Sequence, residues 1–536
     1  MRLGGAVVAA LISLWTSAVA AQQLDFKRVS RSGDELLSYR WKDSAKHDYT
    51  AAFTLTRDAI KEAEASFHDF SMDAMWRTLE ADLRDEVEKF GNGARIDLKR
   101  NIDGLHWTLK ARDQKEADLL SQKVSGRLER AQQAYLKTYL RRMVGERVYR
   151  SFWPKALYNL DAEDAANMTI VGQTDHGETV QIQKRAAESD LIVYVNINLV
   201  AMDGGHKSVA VGLAGYESLK HHHNVNTMLH SQSYMDPREG HSAINDSVNR
   251  MGRLLKDNGV KIFQIETTMN ADTFPSQLGF LNKREWEWSA KDQALMAGAK
   301  QANDLAPPRI RREFFRRIEA PYKVTGVNAG EVEAVHERTI ENLHRQQLVE
   351  VQGQADIAIF GIPYIGPYNV NSVLNPILVH CLGLGYLFNM YRNKPIVREG
   401  GVAILFHPVP WEFNTIHHPS YIDFFEEVLA ETTDPKQIEA TFEERYARDP
   451  WYIHLYRTSH AYHGVHPFYM WYWGAHGRDH CGDVIFVGGE PKSVARLGYR
   501  RADSLRDAME MAKDTVGSGA SITYFHAPPI MIADVQ

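Results

Sequence analysis

The chain has 536 residues, 44% hydrophobic and 24% charged, the balance of an ordinary globular protein with material for several sizeable cores. A formal net charge of −6 argues against a nucleic-acid or anionic-membrane binder, and two cysteines argue against a disulfide scaffold.

Residues 1–21 read as a signal peptide. Arg2 supplies the positive start, 5–15 the apolar stretch, and Ala18-Val19-Ala20 the small-residue cleavage site. The mature protein is therefore expected in the periplasm or outside the cell. No later run approaches the roughly 18 apolar residues of a membrane span, so no membrane insertion is expected after cleavage. Residues 22–144 predict a small α+β module. Its parts are a strand over 49–56, a helix over 57–90, a hairpin over 94–112 turning at Asp103-Gly104, and a helix over 113–143 with Leu120, Val124 and Leu128 on its apolar stripe. It shows no site.

Alternating strand and helix then predicts an α/β domain over 145–300 with a mainly parallel sheet. Strands are expected over 168–172, 191–197 and 260–267, and helices over 216–223 and 243–258. Residues 301–353 read as a linker or helical segment marked by Pro307-Pro308. The basic run 309–319 in it reads as a solvated helix face on an acidic chain. A second α/β domain over 354–536 follows, with strands over 356–361, 402–406, 483–488 and 521–525 and a helix over 504–512. Asn369, Asn371 and His407 lie at strand carboxyl ends, where open parallel sheets bind ligands.

Three stretches carry chemistry-bearing side chains. Gly204-Gly205-His206-Lys207 follows a strand; such glycines let backbone N–H groups approach an anion, and the lysine can pair with one or act as a nucleophile. A turn with an exposed lysine has the same pattern. His221-His222-His223 ends a short helix and offers imidazoles suited to nickel, zinc or copper, or simply a polar helix end. Residues 460–483 hold His460, His463, His466, His476 and His480 among aromatic residues, a pocket wall or an aromatic core with satisfied histidines. Cys481, in the same stretch, is either a ligand or a buried thiol. GxSxG and HExxH motifs are absent.

Thr174-Asp175-His176-Gly177-Glu178-Thr179-Val180, Ala187-Glu188-Ser189-Asp190-Leu191-Ile192, Gly204 to Ser208, Gly212-Leu213-Ala214-Gly215-Tyr216-Glu217 and His223 together resemble the lactate racemase family that uses a nickel-pincer nucleotide. The resemblance covers roughly 145–536. It implies two α/β domains with a central cleft, preceded here by the α+β module. It also implies a pyridinium mononucleotide with thio groups on nickel, tethered to Lys207 beside Gly204 and Gly205, with His223 as metal ligand. The implied reaction is racemisation or epimerisation of a small 2-hydroxy acid by hydride transfer, with histidines as acid and base. The family's histidine ten residues before the lysine is Ile197 here, flanked by Asn196 and Asn198. The arginine before the lysine is His206, the later proline is Val211, and the family's upstream histidine and phosphate-contacting segments have no counterpart. Replacement acid and base groups are expected from His206, His463 or His466. Two other readings are a non-catalytic metal- or organic-acid-binding protein on the same scaffold, and a metal-dependent hydrolase built on the 460–480 histidines.

Overall fold

Short apolar runs bounded by turns make the strands, and 3.6-periodic stripes with polar caps make the helices. In the computed structural model the described residues are 39–43, 48–53, 95–101, 104–110, 146–152, most of 81–89, and 161–536 apart from 271–273, 284, 308–309, 312–313, 315–322, 365, 370–371, 416, 459–460 and 526–530. The signal-peptide reading, the helix predicted over 113–143, most of the basic run, Asn371 and His460 lie outside them.

The chain forms two units. One takes its described residues from Met1–Leu160, Asn414–Glu426 and Phe442–His466. It holds β1 (Tyr39–Asp43), β2 (Asp48–Phe53), β3 (Arg95–Asn101) and β4 (Gly104–Lys110), an antiparallel sheet in the order β1-β2-β4-β3. The β3–β4 pair is the hairpin expected at Asp103-Gly104; Asn101 and Gly104 are its closing partners.

The second unit is Asp161–Phe413, Glu427–Thr441 and Pro467–Gln536. It begins with β5 (Met168–Gln173) and β6 (Thr179–Gln183), an antiparallel pair. Next comes a three-stranded sheet in the order β7 (Ile192–Asn198), β8 (Ile262–Met269), β9 (Val324–Gly330). β7 and β8 are parallel, as alternation predicts, but β9 runs antiparallel to β8. Residues 324–330 thus belong to this sheet, and the segment read as a linker contributes both a strand and the helix packed on it. The cue was weak because Thr325, Gly326 and Asn328 break any apolar run there.

Helix α1 (Lys207–Gly212) follows the glycine loop. Helix α2 (Ala243–Asp257) starts where the Ser242 side chain accepts the Asn245 N–H, and its stripe buries Ile244, Val248, Met251 and Leu255. That stripe meets Val180, Ile182, Val209 and Ala210 in one apolar cluster. Helix α3 (Val332–Gln347) carries Glu331 at its start, whose carboxylate accepts from the Glu333 and Ala334 N–H groups, and it lies on β8 and β9.

Short strands β10 (Leu348–Val351), β12 (Tyr391–Arg392) and β17 (Ile532–Val535) form a parallel sheet ordered β10-β17-β12. The largest sheet is all parallel, in the order β15-β14-β13-β11-β16. Its members are β11 (Ala355–Gly361), β13 (Val397–Phe406), β14 (Asp483–Val487), β15 (Arg500–Ala502) and β16 (Ile522–Tyr524). The near-continuous apolar runs of its central strands are what parallel strands buried on both faces require. Helix α4 (His466–Trp473) precedes β14, and α5 (Leu505–Val516) packs Ala508 and Ala512 against Ile404 and Ile485. The architecture is mixed α/β with parallel sheets. Among the described residues no helix is long and apolar enough to cross a membrane.

Candidate functional site

The β7–β8–β9 sheet has an inverted pattern. Its outward side chains Val193, Val195 and Ile197 are more than half exposed, whereas Asn198, Gln264, Glu266 and Thr268 are buried on the other face. Buried polar groups call for partners, and most of these find them by gripping the glycine loop, although Gln264 Oε1 has none among the described residues. Glu266 Oε1 accepts the Gly205 N–H at 2.6 Å and the Gln264 amide at 3.1 Å. Asn198 donates to Asp203 O at 2.7 Å, and Gln264 donates to the Ser208 hydroxyl at 2.8 Å. Glu266 Oε2 faces His336 Nδ1 at 3.3 Å.

Gly204 has φ +91° and Gly205 φ +57°, and a Cβ on Gly204 would overlap Asn198 and Glu266. On Gly205 it would lie 2.9 Å from the His336 ring. Both glycines are therefore needed to seat the loop on a buried carboxylate and an imidazole. The Gly205 N–H, read from sequence as part of an anion cradle, donates to Glu266.

His206, next in the chain, is buried between α2 and α3. Its Nε2 lies 3.1 Å from Glu333 Oε1, Arg253 lies 3.2 Å from the same oxygen, and Gly252 of α2 leaves the space its ring fills. Burial pushes its imidazole down and outweighs the opposing pull of Glu333, so the contact is a hydrogen bond of a neutral ring more than an ion pair. Its Nδ1 is buried with no partner among the described residues.

Lys207 opens α1. Its Nζ donates to Met202 O at 3.1 Å and lies 3.6 Å from Asp203 Oδ1, with 18% of the side chain exposed. Its charge acts on His222: burial first, then Lys207, push that imidazole down to about 3. His222 Nδ1 lies 2.6 Å from His223 Nδ1, and the His222 Nε2 is buried without a partner among the described residues. The His223 ring meets Tyr469 at 5.3 Å and Trp473 at 5.8 Å; Tyr386 stacks on Trp473 at 5.6 Å. The Asp203 charge reaches Tyr386, whose phenol is raised first by burial. His222, His223 and this aromatic wall form one neighbourhood, and Lys207 belongs to the same unit.

The other predicted residues have partners of their own. His463 and His466 belong to the first unit, in a stack where Tyr421 Oη meets His466 Nδ1 at 2.5 Å and Tyr462 lies 4.3 Å from the His466 ring. The His463 Nδ1 accepts the Val465 N–H at 3.3 Å. His407 accepts the Val409 N–H at 2.9 Å, and Asn369 closes its own loop through Gly366 and Ser372. His476 bonds the Tyr391 hydroxyl at 2.8 Å. Cys481 is a free thiol pushed up to about 12 by burial. No group of three or more metal-binding side chains occurs among the described residues. Ile197 points to the face opposite Asn198, so the position ten residues before Lys207 presents its side chain away from the loop.

Residues 133–236 match the lactate racemase N-terminal domain family, a stretch that contains Gly204, Gly205, Lys207 and His223. This segment is lactate racemase-like. Solved structures similar to the chain include the lactate racemase apoprotein from Thermoanaerobacterium thermosaccharolyticum, at 16% identity and TM-score 0.42, covering 69% of each chain. Another is a structural-genomics target from Thermotoga maritima, at 11% identity and TM-score 0.38, covering 71% of this chain and 78% of that one. No curated protein matches.

Were a lysine-tethered metal cofactor bound here, Lys207 would offer the anchor and His223 an imidazole nitrogen, with the buried His222 paired to it and its Nε2 without a partner among the described residues. Sequence reasoning missed Glu266 and His336. The signal was present, because Gln264, Glu266 and Thr268 place a polar side chain at every second position of an otherwise strand-like run.

Proposed function

We propose that this protein is a lactate racemase-like enzyme that racemises or epimerises a small 2-hydroxy acid, with Lys207 as cofactor tether and His223 as metal ligand. The observation that carries the reading is that Gly204, Gly205, Lys207 and His223 all fall inside the segment that matches the family, with His223 paired to the buried His222. When bound, a nickel-pincer nucleotide supplies a pyridinium hydride acceptor. The chain's part is to hold Lys207 beside Met202 and Asp203, to present the His223 ring, and to shield the neighbourhood with Tyr386, Tyr469 and Trp473. The central cleft between two α/β domains and an exported location, supported by the leader-like residues 1–21, belong to the same proposal.

Protein made together with cofactor-synthesis enzymes should contain nickel and interconvert D- and L-lactate or a close 2-hydroxy acid, and Lys207→Ala should abolish both. Nickel-free protein without turnover would reject the reading. A second reading, a non-catalytic organic-acid or metal binder, rests on Ile197 standing where the family has an imidazole. Ligand binding without turnover, unchanged in Lys207→Ala, would favour it.

A further inference from the structure

The loop that carries Lys207 rests on a carboxylate–imidazole pair, Glu266 and His336. Glu266 is fully buried, and its Oε2 lies 3.3 Å from His336 Nδ1 while Oε1 holds the Gly205 N–H. The carboxylate can only accept, so Nδ1 carries the proton and the lone pair of the neutral ring is on Nε2. The ring keeps 23% of its surface open, and its Nε2 lies 3.2 Å from the point where a Gly205 Cβ would stand, two residues before Lys207.

The chemistry of this arrangement is that of an oriented base: a buried acceptor fixes the tautomer and stabilises the imidazolium that forms, and the outer nitrogen handles the proton. Burial alone would raise the Glu266 carboxyl, but the hydrogen bonds it accepts, from His336 first and then from the Gly205 N–H, outweigh that and hold it below the usual range. It therefore stays an anion.

We infer that Glu266 and His336 form a proton-transfer dyad at the Lys207 loop, with His336 the catalytic base and acid for the substrate hydroxyl and Glu266 its positioning residue. The inference rests on the 2-hydroxy acid reading for its substrate. In the transfer the O–H bonding pair stays on oxygen, the proton moves to Nε2, and the reverse step returns it.

Two measurements test the dyad and separate its failure from that of the racemase reading. In protein made with the cofactor-synthesis enzymes and given D-lactate, His336→Asn and His336→Gln should keep the mass increment on Lys207 and racemise on the order of 100-fold slower. Turnover at the unsubstituted rate in either variant would overturn the assignment. In protein made without those enzymes, diethyl pyrocarbonate mapped by peptide mass should acylate His336 about tenfold more slowly in Glu266→Gln than in the parent. Equal acylation in the two would overturn the positioning role. If the parent carries no increment on Lys207 and leaves lactate unchanged, the racemase reading fails and the acylation result alone decides the dyad.

Discussion

At the scale of single residues, the glycine loop shows how one position can be fixed by several demands. Gly204 combines a left-handed φ with a space already occupied by Asn198 and Glu266. Gly204→Ala should therefore destabilise by about 2 to 3 kcal/mol, the sum of strained φ and overpacking, read as a lower urea midpoint at unchanged slope. An unchanged midpoint would mean that the loop is not seated on Glu266. Lys207 and His223 stand out from their neighbours in the chain. Glu266 and His336 were not, because they are 70 residues apart in sequence and meet only when β8 and α3 pack. Polar alternation in β8 marked one face as buried, but nothing local names its partner.

At the scale of elements, the strands and helices followed from apolar period and caps, while the facing of β7 did not. Val193, Val195 and Ile197 look like core residues in sequence and are exposed, because the inner face of that sheet is given to the polar row that holds the loop. Strand period says which residues share a face, not which face is covered. Helix α2 offers a test of how tightly this region is packed. Gly252 to alanine would normally gain roughly 1 kcal/mol of helix propensity. Here the new Cβ would overlap the His206 ring, which is already buried against Glu333. Overpacking of about 1 to 3 kcal/mol should win, so Gly252→Ala should lower the thermal midpoint. A raised midpoint would show that His206 can move aside.

At the scale of the whole molecule, buried neutral histidines set the response to acid. Burial pushes His222 and His380 down to about 3 and His407 to about 4 in the folded protein, against about 6.5 when unfolded. Between these values the unfolded chain binds protons that the folded one does not, so stability rises with pH across that window and is level above it. Each group contributes on the order of 1 kcal/mol per pH unit there. The urea midpoint should hold between pH 7 and 8 and fall steadily from about pH 6.5 toward 4; a flat profile to pH 4.5 would mean these rings are solvated. The α/β class was legible because parallel strands buried on both faces are apolar throughout. The strand inside 301–353 was not, because glycine and asparagine interrupt it. Lys207 is proposed as a covalent cofactor anchor. Its most direct test is intact-protein and peptide mass measurement on protein made together with cofactor-synthesis enzymes. The account predicts a discrete added mass confined to the Lys207 peptide and absent in Lys207→Ala. An unmodified Lys207 peptide from nickel-free protein would contradict it.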